Sequence, residues 1–164
     1  MKLTYRQINR LKAALTALGA SYTKIIKENN RDVAVSVPYR FGKESKAVRS
    51  AAAFNLRLLG PHAETYTDLR NQILLELTAP DEQHPDRVAG VIGDEDHALE
   101  SAFAIKLREL DKSEVPEDLA LRPITEAQLD LETNPIPPDV IAELALLEAP
   151  AKAAAAAEPP ESDA

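Results

Sequence analysis

The chain has 164 residues, 45% of them hydrophobic, 28% charged and only 4% aromatic with no tryptophan, which fits a single domain with an aliphatic core. The absence of cysteine excludes disulfides, thiolate metal sites, iron–sulfur clusters and cysteine nucleophiles. The net charge of -8 is unevenly spread: residues 1–78 carry 13 Lys and Arg against 6 Asp and Glu, and residues 79–164 carry 6 against 21.

The first residues predict a helix. Thr4 and Gln7 have capping-box spacing, and Leu3 and Ile8 have the spacing of a hydrophobic staple. Ile8, Leu11, Leu15 and Leu18 then recur as one apolar stripe, with Gly19 as the stop. Residues 21–30 are ambiguous. Tyr22, Ile25 and Ile26 have helical spacing, and Asn29-Asn30 is a turn signal. Val33, Val35 and Val37 alternate with polar or small residues, a short strand that Pro38 ends.

A second helical pattern runs from about Lys43 to Leu59 and resumes through Tyr66, Leu69, Ile73 and Leu77. Gly60-Pro61 interrupts it, so it reads as one kinked helix or as two consecutive helices. Residues 79–93 are rich in Pro, Gly and Asp and form a loop, the best boundary between the basic 1–78 and the acidic 79–149. Asp94 is expected to cap the next helix, with Glu95 and Asp96 favouring its positive end and Leu99, Phe103, Leu107 and Leu110 forming its stripe. Residues 113–124 are extended, and Leu119 and Leu121 suit an edge strand pairing with Val33–Val37. Thr125 and Gln128 repeat the capping-box spacing, and Pro138 opens a last helix through Val140, Leu144 and Leu147. From Pro150 the chain is Ala/Pro/Glu-rich and is expected to be disordered. The expected fold is a mainly helical α+β domain over residues 1–149 with one small two-stranded element.

Chemistry-bearing motifs are sparse. His84 and His97 sit in acidic stretches, but neither has the spacing of a metal loop or of an HExxH helix. Gly90 and Gly93 fit neither a phosphate loop nor a dinucleotide fingerprint, and no nucleophile elbow is present. A non-enzymatic protein without a cofactor is expected. Arg40, Lys43, Lys46 and Arg49 form a basic run at the start of the second helix, where cations oppose the helix dipole. They are candidates for contact with a polyanion or a protein partner. Tyr39 and Phe41 interleave with them and either stack on bases or anchor the turn, the second being preferred. Asp94, Glu95 and Asp96 are the candidate acidic contact. Halves of opposite charge attract, so pairing of copies through them is a further expectation. The acidic half disfavours nucleic acid. No apolar run approaches the roughly 18 residues of a membrane span, and the N-terminal pattern is not that of a signal peptide.

As a set, MKLTYRQINRLKAAL, VPYRFGKESKAVRSA running into LRNQILLEL, LRELDKSEVPEDLALRPITEAQLDL and NPIPPDVIAELALL resemble a family of small tailed-bacteriophage proteins of unknown function, over roughly residues 1–148. The resemblance implies a phage origin, a host-cytoplasmic setting and an accessory or assembly role exercised on a phage or host protein. It transfers no catalytic or ligand residue. An acidic DNA mimic that blocks a host defence enzyme, and a nucleic-acid binder using the basic half, are the alternatives.

Overall fold

The computed structural model describes residues 1–28, 31–94 and 96–148. The tail expected to be disordered therefore lies outside the described residues, as does Glu95. The fold is α+β and mainly helical. Helix α1 spans Tyr5–Leu18, strands β1 and β2 span Ser21–Glu28 and Arg31–Pro38, and helix α2 spans Ser45–Thr78. Helices α3 (His97–Lys112), α4 (Glu126–Leu129) and α5 (Pro138–Leu144) follow. No described helix is long and apolar enough to cross a membrane.

Helix α1 begins where the capping box places it. The Thr4 N–H donates to Gln7 Oε1 at 2.9 Å, and the Gln7 N–H donates to Thr4 Oγ1 at 3.3 Å. Its predicted stripe is buried: Ile8 and Leu11 are fully enclosed and Leu15 and Leu18 nearly so.

The strand of Val33, Val35 and Val37 forms, but not with the predicted partner. The ambiguous segment before it becomes β1, paired antiparallel with β2 from Ser21↔Pro38 to Glu28↔Arg31. The expected pairing with Leu119 and Leu121 is thus corrected. Closing a two-residue connection costs far less chain entropy than closing one of about eighty residues, and Thr23, Ile25 and Ile26 are β-branched. Leu119 instead donates its N–H to the Met1 carbonyl at 2.9 Å. The Val115 N–H likewise donates to the Leu3 carbonyl, and the Tyr5 N–H to the Ser113 carbonyl.

Helix α2 is one continuous helix with Pro61 inside it. Proline removes one donor from the ladder and leaves the carbonyl four residues earlier without its helical partner. The glycine before it carries no Cβ to clash with the proline ring, which eases a helical conformation there. The cap of α3 also shifts: Asp96, not Asp94, accepts the Leu99 N–H at 3.1 Å. Asp94 is held in a turn in which the Asp96 N–H donates to the Gly93 carbonyl, so the helix starts later than the acidic run suggests. Pro138 opens α5 as expected.

The described residues divide into two compact units. One comprises Met1, Arg10–Leu58 and the described residues from Leu119 onward, and the other comprises Lys2–Asn9 and Leu59–Asp118. The loop at 79–93, where the charge of the sequence changes sign, lies inside the second unit. In that unit the Tyr66 hydroxyl donates to Asp111 Oδ1 at 2.8 Å, and the Tyr66 ring lies 5.9 Å from that of Tyr5.

Replacing Pro61 by Ala restores a ladder donor, and we expect a gain of about 1–3 kcal/mol in urea unfolding; a lower midpoint would show that the proline is required, and an unchanged one that the missing donor costs the helix nothing. Burial, and then the Asp111 carboxylate that accepts its proton, hold the Tyr66 phenol above its ordinary pKa. The folded state therefore keeps this proton more tightly, and the stabilisation is lost as pH rises from the ordinary tyrosine range through the raised value. Asp111→Asn should lower the Tyr66 midpoint in an NMR-monitored alkaline titration.

Candidate interaction surfaces

The basic run is presented by a short, firmly held turn. Tyr39 and Phe41 point inward and are buried, with ring centroids 6.4 Å apart, and the ring of Tyr22 on β1 lies 5.3 Å from that of Tyr39. Both rings therefore anchor the turn and are closed to a base. Between them the backbone of Arg40 is clamped by the buried Asn134. The Arg40 N–H donates to Asn134 Oδ1 at 2.8 Å, and Asn134 Nδ2 donates to the Arg40 carbonyl at 2.9 Å. Gly42 then takes φ +53°, a conformation that strains any side chain with a Cβ, and a 3-10 turn over Gly42–Glu44 leads into α2. Arg40, Lys43, Lys46 and Arg49 are all exposed. Among the described residues none of the four has a carboxylate within ion-pair distance.

A second clamp escaped the sequence reading. The fully buried Asn55 accepts the Arg122 N–H at 2.8 Å and donates to its carbonyl at 2.9 Å. The Arg122 guanidinium then lies 4.0 Å over the ring of Phe54, which Arg57 also approaches at 5.6 Å. Sixty-seven residues separate Asn55 from Arg122, and nothing local announces the pairing.

Beside the basic turn, the end of α1 and the first half of α2 enclose an apolar cavity of about 480 Å³. Leu15, Leu18, Phe41, Val48 and Leu56 line it, and Arg49 is the one charged lining residue. The β1–β2 hairpin presents a further surface. Tyr22, Lys24 and Ile26 share a face with Val33, Val35 and Val37, Lys24 lying opposite Val35, while Thr23, Ile25 and Lys27 share the other with Asp32, Ala34 and Ser36. The three valines are only half-buried, and Ile25 and Ile26 are exposed to 69% and 38%.

The acidic candidates are partly occupied. Asp96 caps α3 and lies 3.6 Å from Arg87, Asp94 is exposed, and Glu95 lies outside the described residues. Within the same loop Asp81 accepts backbone N–H bonds from Gln83 and His84 and pairs with Arg87 at 3.2 Å. Desolvation raises the Asp81 pKa, but the hydrogen bonds from His84 and Gln83 outweigh it and leave the carboxyl below its ordinary range. Among the described residues no three His, Asp or Glu side chains form a metal-sized cluster.

The first turn of α2 contains no acidic residue, so Lys46→Glu should stabilise the helix dipole by about 0.3–1 kcal/mol, read as a higher urea midpoint. A lower midpoint would give Lys46 a role in holding the fold. No protein-family model, curated protein or solved structure matches the chain.

Proposed function

We propose that this chain is a non-enzymatic accessory or assembly protein of a tailed bacteriophage that acts by protein–protein contact. The phage setting rests on the sequence resemblance over residues 1–148. The contact role rests on one observation: the hairpin carries a largely apolar face, Tyr22, Ile26, Val33, Val35 and Val37 around the exposed Lys24, that is left half-open to solvent. A lone two-stranded hairpin is marginally stable in water and gains by having such a face covered. Apolar faces of this kind mark contact sites. The four exposed cations from Arg40 to Arg49 follow β2 directly and add a charged rim to the same part of the chain.

A nucleic-acid reading draws on those same four cations, which lack carboxylate partners among the described residues. It is the weaker reading because Tyr39 and Phe41 are buried and offer no stacking platform.

A photo-crosslinking amino acid at Ile26, with Glu64 on α2 as an exposed control, separates the two readings when the chain is expressed in a bacterial host. We expect a discrete protein adduct, to another chain or to a second copy, from the hairpin position and none from the control. Purified protein should not shift DNA or RNA at about 150 mM salt. The proposal fails if the adduct is absent, or if nucleic acid binds with a log–log salt slope of about 0.7–0.9 per phosphate contact that Ala at Arg40, Lys43, Lys46 and Arg49 abolishes.

A further inference from the structure

Strands β1 and β2 pair with each other alone, so each has a free outer edge among the described residues. Free edges are ordinarily protected by charge, proline or bulges, and a charged edge pairs with another strand only in a register that sets opposite charges across from each other. Strand β2 is poorly suited to pair with a copy of itself. Its two charges, Arg31 and Asp32, sit together at one end, and it closes on Pro38. In any two-fold antiparallel register longer than that end they meet no opposite charge.

Strand β1 differs. Its charges, Lys24, Lys27 and Glu28, are placed on both sides of Ile26. Directly opposed residues of an antiparallel pair lie on the same face. A two-fold pairing centred on a residue therefore continues the apolar face from one hairpin to the next, whereas one centred between residues turns it over. Centring between Ile25 and Ile26 also sets Lys24 against Lys27 twice. Centring on Ile25 sets Lys24 against Ile26 and Tyr22 against Glu28, with no charge matched. Centring on Ile26 sets Lys24 against Glu28 twice, Ile25 against Lys27, and Ile26 against itself. Among the registers centred on or between the two isoleucines, this one both keeps the valine faces of the two hairpins on one side and matches opposite charges, the Lys24–Glu28 pairs flanking Ile26 at the seam.

We propose that β1 pairs antiparallel with β1 of a second copy about Ile26, giving a four-stranded sheet in the order β2–β1–β1–β2. The inference rests on reading the hairpin as a contact surface and specifies its partner. The paired sheet has the three or more strands and the apolar face that independent stability requires. Matched charges fix the register, as cross-strand ion pairs do.

Sedimentation equilibrium of the full chain over a range of concentrations tests this pairing. We expect a monomer–dimer equilibrium for the native sequence. Lys24→Glu alone and Glu28→Lys alone set like charges opposite each other twice and should each weaken the dimer roughly tenfold. The double reversal Lys24→Glu/Glu28→Lys should restore it. Ile26→Lys, with a circular-dichroism spectrum matching the native one, should leave a monomer. A native chain that stays monomeric at about 100 µM, where a dimer of micromolar Kd is mostly paired, overturns the inference. So does a dimer indifferent to the two single reversals. A hairpin adduct to a different protein beside a monomeric native chain would overturn self-pairing while leaving the broader contact reading standing. Loss of every hairpin adduct would remove both.

Discussion

The side-chain amide of Asn134 accepts the backbone N–H of Arg40 and donates to the carbonyls of Arg40, Leu129 and Asp130. An amide buried without partners costs about 1–3 kcal/mol. Here both of its ends are satisfied, so the cost becomes a constraint: the turn after β2 has one position in which the amide is paired. With the turn in that position Tyr39 and Phe41 are buried and Arg40 is exposed. The direction in which the hairpin leaves the core, through the Tyr22–Tyr39–Phe41 rings, depends on the same turn. Asn55 holds the backbone of Arg122 in the same two-bond manner. In each case a buried neutral amide fixes the backbone of an arginine whose side chain remains outside, so the guanidinium is positioned without paying for its own burial.

Charge is partitioned differently in the folded chain than along the sequence. The unit that contains the basic run also contains the described residues from Leu119 onward, and over residues 1, 10–58 and 119–148 it carries 11 Lys and Arg against 9 Asp and Glu. The unit built from residues 2–9 and 59–118 carries 7 against 15. Within the first unit, acidic residues answer some of the cations locally: Glu143 pairs with Arg10 at 3.1 Å. Arg40, Lys43, Lys46 and Arg49 remain as exposed cations beside an apolar cavity. Their place at a helix N-terminus opposes the dipole, so fold stability alone gives no reason for them.

The hairpin is the least self-sufficient element. Its register is specified by local pairing, but most of its surface stays open. Helix α1, by contrast, buries a whole stripe, Ile8, Leu11, Leu15 and Leu18. Covering the hairpin's half-open valine face would stabilise it, since a lone two-stranded hairpin is only marginally stable in water.

The sequence by itself determined the elements whose signals are local. The Thr4–Gln7 cap, the stripe of α1, the valine strand, the loop at 79–93 and the proline that opens α5 are all set by spacings of a few residues. Exposure of the basic run was legible for the same reason, since Arg40, Lys43, Lys46 and Arg49 fall close together in sequence and charges are not buried without partners. The tertiary structure decided the rest. The strand partner of β2 was a competition between Ser21–Glu28 and Leu119–Leu121, and loop-closure entropy, which no periodicity encodes, awarded it to the nearer segment. Gly60-Pro61 reads as a break, yet α2 continues through it, because burial of Leu59 and Ala63 on either side favours the helix across the missing bond. The start of α3 moved from Asp94 to Asp96 because Asp94 lies in a turn closed by the Asp96 N–H on the Gly93 carbonyl. The asparagine clamps were invisible: Asn134 lies 94 residues from Arg40 and Asn55 lies 67 from Arg122. A buried amide is recognised by which backbone groups the fold leaves within reach, and only the folded chain brings them there.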